Sequence, residues 1–179
     1  NKLFLALFVI YPLQSDASYA QSDVSQDGIV VTQHYLATEI GENVLYQGGN
    51  AYDAAIAVGF ALAVVLPRAG NIGGGGFMVI YDEDSNDTYS IDYREKAPAA
   101  SFKDMYLDEN GEFDILKSTF GFKAIGIPGT VHGFWSVHQR FGSLPWADLI
   151  QPSIVLAERG FIMSDYMACL LYTSPSPRD

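Results

Sequence analysis

Four consecutive glycines, Gly73 to Gly76 in the stretch NIGGGGFM (71–78), form the first pattern in this chain that could serve chemistry. A phosphate-binding loop needs a lysine and a hydroxyl residue after its glycines, to reach the phosphates and the magnesium. Phe77 and Met78 stand in those places. A dinucleotide fingerprint spaces its glycines at positions one, three and six and leads into a helix. This run leads instead into the apolar stretch FMVIYD. The glycines are therefore read as structural, allowing tight packing or positive φ beside a sheet.

Other polar clusters resolve in the same way. DENGEFDILKST (108–119) carries carboxylates at its first, fifth and seventh positions, but its glycine is fourth and its twelfth residue is Thr119. A calcium loop wants glycine sixth and glutamate twelfth. DEDSNDTYSIDY (82–93) fails likewise, and both read as solvated turns. His34, His132 and His138 do not fit a zinc pattern, and the last two, six apart, fall on different faces of a helix. No G-x-S-x-G elbow occurs. Thr130, after Pro128 and Gly129, reads as a helix N-cap rather than a nucleophile. Arg94, in IDYREKAP, is the charged residue of most interest: its rigid fork of donors matches a carboxylate bidentately, and a strand end is a firm platform for it. On chemistry alone, an ion pair with Asp92, Glu95 or another surface acid explains it equally well.

The elements that would position these residues follow from apolar spacing. GIVVTQ (28–33) is short and β-branched, and is predicted as a strand. A helix should follow, with Leu36, Ile40, Val44 and Leu45 on its stripe and Gly48-Gly49 as its stop. NAYDAAIAVGFALAVVLP opens on Asn50 as N-cap, has Asp53 as its one charge, and ends before Pro67. A helix apolar on every face and about four turns long belongs inside protein rather than lipid. Glycine costs about 1 kcal/mol within a helix, so Gly59 should mark the close approach of a neighbouring backbone. FMVIYD (77–82) and TYSIDY (88–93) flank a polar turn and predict an antiparallel hairpin, its first strand covered on both faces. Two more helices are expected, one in VHGFWSVHQRF with Phe134, Val137 and Phe141 inward, the other in PWADLIQPSIVLAERG and stopped by Gly160. Helices covering a hairpin sheet give an α/β or α+β layer fold.

The whole chain has 179 residues, of which 49% are hydrophobic and 17% charged, enough for one sizeable core. A formal charge of −11 argues against nucleic acid, whose phosphates require clustered Lys and Arg. Lys2, the apolar run Leu3 to Ile10 and the small-residue pattern Ser18-Tyr19-Ala20 resemble a secretory signal peptide over residues 1–20, cleaved before Gln21, and the run is too short to span a membrane. CLLYTSPSPRD (169–179) matches, residue for residue, the one-frame translation of a common transposon-based sequencing adapter. The natural stretch is then expected to be 21–168, and Cys169, the one cysteine, carries no redox information.

Taken together, GGNAYDAAIAVGFALAVVLPRAGNIGGGGFMVIYD, IDYREKAPA, GIPGTVHGFW and LIQPSIVLAERGF resemble the γ-glutamyltransferase (glutathione hydrolase) family, nearly continuously from Gly28 to Ala168. The resemblance implies an α+β fold, the αββα sandwich of the N-terminal nucleophile (Ntn) hydrolases, incomplete in this chain. It implies a secreted or periplasmic precursor, membrane-associated in some settings, that cleaves itself into a large and a small subunit. Residues 21–168 would be the N-terminal part of the large subunit. The new N-terminal threonine of the small subunit would attack the γ-glutamyl amide of glutathione and related compounds, its own α-amine acting as base. Water or an amino acid or peptide would then take the acyl group from the γ-glutamyl enzyme. That threonine and the oxyanion glycines would lie beyond Ala168, so no catalytic residue is assigned here, and neither a metal nor a cofactor is implied. Arg94 matches the arginine of the family's R-E-x-A-P motif that grips the substrate's α-carboxylate; Lys96 departs from the methionine or valine expected there. A non-catalytic γ-glutamyl-binding relative, or an acylase of the cephalosporin or poly-γ-glutamate type, fits the same motifs. The glycine run would help aim Arg94 without touching the chemistry.

Overall fold

The computed structural model describes residues 28–173. The signal-peptide reading (1–20) and the last six residues of the adapter reading lie outside the described residues. Helix α1 spans Tyr35–Tyr46 and α2 spans Ala51–Val65. Strands β1 (Phe77–Asp82) and β2 (Asp87–Asp92) follow as a hairpin, then a short helix α3 (Ile115–Thr119), α4 (Thr130–Phe141), α5 (Trp146–Arg159) and α6 (Asp165–Thr173).

The start of α2 is fixed by its own sequence. Asn50 Oδ1 accepts from the Tyr52 and Asp53 amides at 3.0 and 2.9 Å, and Asp53 Oδ2 accepts from the Asn50 amide at 3.1 Å, a reciprocal capping box that satisfies the donors a helix start leaves free. The same carboxylate reaches 90 residues along the chain. Asp53, fully buried, accepts from the Ser143 and Leu144 amides at 3.1 and 3.2 Å and from the Ser143 hydroxyl at 2.5 Å. A buried carboxylate needs such a set of donors to offset its lost hydration. It thereby ties the α2 start to the α4–α5 loop, and Asn50 Nδ2 reinforces the tie by donating to the Phe141 carbonyl at 2.7 Å.

The core lies where α2 meets α1, α4, α5 and the inner face of the hairpin. Val44, Ala54, Ile56, Ala57, Phe60, Ile80, Phe134, Val137 and Leu149 are its buried members. Phe60 meets Phe134 and Trp146 edge to face, with ring centroids 5.3 and 5.6 Å apart, a favoured aromatic arrangement. Gly59 leaves room for a side chain rather than for a backbone: a Cβ there would overlap the Phe134 ring.

Three further expectations change. Residues 28–33 form no strand: among the described residues no ladder forms here, and Val30 instead packs against Gly41 of α1. The hairpin connection is the four residues 83–86, because Asp87 pairs with Asp82 and Asn86 takes up a left-handed φ of 56°. Tyr93 lies past the end of β2. The first strand is covered on one face only. Met78 and Ile80 point inward, opposite Ile91 and Tyr89, whereas Phe77, Val79 and Tyr81 are 62%, 74% and 61% exposed. Among the described residues no second sheet packs on that outer face, since β1 and β2 make up the one sheet present.

Candidate functional site

Arg94 sits just after β2, on a segment held by two neighbouring stretches of the chain. The Tyr93 amide donates to the Gly76 carbonyl at 3.0 Å, and Lys96 and Ile127 exchange two backbone hydrogen bonds at 3.1 and 2.8 Å. One stretch is the glycine run: a Cβ on Gly75 would stand 2.6 Å from Arg94 Cα and 2.8 Å from the Glu95 nitrogen. The other is the start of α4, where a Cβ on Gly129 would overlap the Tyr93 carbonyl and one on Gly133 would overlap the Tyr93 ring. Glycine is therefore required at 75 and 129 because a second backbone lies against each, and at 133 because the Tyr93 side chain does. Gly73 to Gly76 are not among the glycines with positive φ. Of the two structural uses the sequence allowed for the run, close approach is the one realised.

Within this grip the Arg94 side chain is free to meet a ligand. It is 66% exposed, its Nε stands 3.7 Å from Glu95 Oε2, and its guanidinium lies 6.0 Å from the centre of the Phe77 ring. Asp92 Oδ1 accepts from the Arg94 amide at 3.0 Å, so this acid holds the backbone of Arg94. The Glu95 pair is long and solvated, and such pairs contribute little. Tyr93, beside it, packs on Phe134 with ring centroids 5.7 Å apart, and burial raises its phenol pKa above the usual 10.0.

Thr130 is not the N-cap of α4. Gly129 holds that position without a side-chain bond, and the Thr130 hydroxyl, buried with its residue, donates to Asn71 Oδ1 at 2.8 Å. Asn71 Oδ1 also accepts from the Gly74 amide at 2.9 Å, while the Gly74 carbonyl accepts from the Gly129 and Thr130 amides at 2.8 and 3.2 Å. Sequence reasoning overlooked Asn71, Gly129 and Gly133 as neighbours of Arg94. The small-residue spacing G-x-x-x-G at 129 and 133, one turn apart on a helix, is the signal that could have found two of them.

The acidic loops turn on their own backbones, as solvated turns do. Asp108 Oδ1 accepts from the Asn110 and Glu112 amides at 2.8 and 2.9 Å, and Asp114 caps α3. The Glu112 amide bond, helped by that of Asn110, holds the Asp108 carboxyl below its ordinary pKa. His132 is exposed, and His138 binds the Leu144 carbonyl through Nε2 at 2.8 Å. Among the described residues no three His, Cys, Asp or Glu side chains gather as a metal site would require.

Comparison with known proteins bears on this arrangement. The family model described as "Gamma-glutamyltranspeptidase" matches residues 37–175. The chain belongs to the gamma-glutamyltranspeptidase family. Its relatives include the glutathione hydrolase proenzymes of Pseudomonas sp. (strain A14), 47% identical over 97% of this chain and 30% of the relative, and of Bacillus subtilis (strain 168), 47% identical over 88% and 27%. The crystal structure of Helicobacter pylori gamma-glutamyltranspeptidase superposes with a TM-score of 0.79 at 45% identity, covering 85% of this chain and 43% of that one. The chain thus spans less than a third of the length of these curated relatives. Its fold is that expected, part of an Ntn-hydrolase αββα sandwich: a helical layer and one hairpin of the adjoining sheet.

Proposed function

We propose that residues 21–168 are the N-terminal part of the large subunit of an exported γ-glutamyltransferase and glutathione hydrolase, and that Arg94 binds the α-carboxylate of its γ-glutamyl donor. The observation that carries this reading is an exposed guanidinium on a backbone clamped by the glycine run and the start of α4. A fork held so firmly at its root and free at its tip can form two parallel charge-assisted hydrogen bonds with a carboxylate. Holding the donor by this end would present its γ-amide to a threonine nucleophile from the small subunit of the same precursor. The amide C–N bond breaks, the released amine takes the proton, and water or an amino acid or peptide resolves the γ-glutamyl ester. The names of the relatives, glutathione hydrolase proenzymes, support both the substrate and the processed precursor.

The test is release of p-nitroaniline from γ-glutamyl-p-nitroanilide by the full-length precursor. Arg94→Ala should raise KM about 10- to 100-fold, the equivalent of one lost charged hydrogen bond, and Arg94→Lys should recover part of it. An unchanged KM overturns the role. Export, supported by the run Leu3 to Ile10 and by Ser18-Tyr19-Ala20, predicts a mature chain starting at Gln21 in the periplasm or medium. An uncut cytoplasmic chain overturns that part.

A further inference from the structure

We infer that Asn71 and Thr130 form a clasp that positions Arg94, setting how strongly the enzyme selects donors that bear an α-carboxylate; the inference rests on the reading of Arg94 given above. The clasp consists of three hydrogen bonds between two segments nearly sixty residues apart and a fourth that braces the glycine loop itself. Asn71 Oδ1 accepts from the Gly74 amide and the Thr130 hydroxyl, and the Gly74 carbonyl accepts from the Gly129 and Thr130 amides. The Gly129 and Thr130 amides would otherwise stand unpaired at the start of α4, since Gly129 brings no capping side chain. Here a carbonyl of the glycine loop takes them both. The backbone of Tyr93 and Arg94 rests against both clasped segments, in close contact with Gly75 of one and Gly129 of the other.

The clasp therefore fixes, relative to each other, the two glycine surfaces on which the Arg94 backbone rests. Arg94 is mostly exposed, and its long contact with Glu95 gives its fork little lateral support. Where the guanidinium comes to rest thus depends on where its Cα is held. Thr130 is 3% exposed, so removing its hydroxyl leaves Asn71 Oδ1 with one donor fewer and lets the loop and α4 drift apart. A shift of about 1 Å at a positioning group can cost up to about a hundredfold in rate. The Asn71 and Thr130 side chains act through the backbone, as positioning residues.

The full-length precursor tests this with two donors, γ-glutamyl-p-nitroanilide and 4-aminobutyryl-p-nitroanilide, the second lacking the α-carboxylate. Thr130→Val should raise KM for the first donor about tenfold, with kcat within about twofold, and should lower the kcat/KM ratio between the donors by a similar factor. Thr130→Ser, which keeps the hydroxyl, should restore the ratio. Asn71 is exposed, so Asn71→Ala provides a second variant that spares the core should Thr130→Val fail to mature, and it should lower the ratio in the same way. Equal loss on both donors, or a Thr130→Ser enzyme as impaired as Thr130→Val, overturns the clasp as a positioning device. If Arg94→Ala leaves the donor ratio intact, the reading of Arg94 fails. If Arg94→Ala abolishes the ratio while Thr130→Val and Asn71→Ala preserve it, the clasp alone fails.

Discussion

The two faces of the β1–β2 hairpin have similar side chains and opposite surroundings. Inward, Ile80 is 5% exposed beneath the helical layer; outward, its neighbours Val79 and Tyr81 are 74% and 61% exposed. The inner face is sealed by α2 and α4, while the outer face carries Phe77, Val79 and Tyr81 with none of the described helices over it. Strand alternation alone separates the two sets, because a pleated strand sends successive side chains to opposite faces. An apolar run on both faces signals a strand meant for two covers, of which the described residues supply one. The stretch from Phe113 to Ile127 repeats the contrast, with Phe113, Phe120 and Phe122 at 64%, 68% and 94% exposure.

The sealed side should be the most sensitive to substitution. Asp53→Ala removes the buried acceptor shared by Asn50, Ser143 and Leu144 and leaves their amides and the Ser143 hydroxyl without it, so the full-length precursor should lose about 3–5 kcal/mol in urea unfolding or fail to accumulate. A loss below about 1 kcal/mol would mean that the α4–α5 loop does not depend on it. Val79→Lys addresses the open side. In the precursor, where a second sheet should cover this face, it should cost about 2–3 kcal/mol. In residues 21–168 expressed alone it should raise soluble yield and lower hydrophobic-dye binding. That shorter chain should also melt without a cooperative transition, and a sharp melt would show that the outer face needs no cover. Gly59→Ala drives a methyl group into the Phe134 ring and should cost about 1–3 kcal/mol, measured as a lowered Tm of the precursor.

The smallest effects are those of pH, and they report the two sides separately. Asp82 and Asp108, on the open loops, have lowered pKa values, owing first to the Ser85 hydroxyl and the Glu112 amide respectively. Their contribution is complete above the ordinary carboxyl value of 3.8 and is lost as pH falls below it. Asp108→Asn should therefore flatten the acid limb of the stability curve. Tyr93, on the sealed side, has its pKa raised by burial. Folding favours its neutral form, so its contribution holds below the ordinary phenol value of 10.0 and is lost as pH rises past it. Tyr93→Phe should flatten the alkaline limb, and unchanged limbs in both variants would remove the distinction.

Much of the helical layer was legible beforehand because its signals are local. Asn50 and Asp53 lie three residues apart and close their capping box with no outside help, and the Phe134, Val137 and Phe141 stripe fixes the inner face of α4. The strand expected at 28–33 failed because β-branched composition supplies no ladder partner, and pairing is a tertiary matter. Gly59 was expected to meet a neighbouring backbone, but what approaches it is a ring 75 residues away in the chain.

At the site the division is the same. The sequence by itself determined the family motifs, the end of the hairpin where Arg94 stands, and a glycine run unsuited to phosphate, because each is written in neighbouring residues. Only the tertiary structure decided that Gly75 and Gly129 both close on one backbone and that Thr130 bonds Asn71 instead of capping its own helix. Those contacts join segments from 19 residues apart, Gly75 to Arg94, to 59 apart, Asn71 to Thr130, and local spacing carries no information about which distant groups the packing of a core will bring within hydrogen-bond distance.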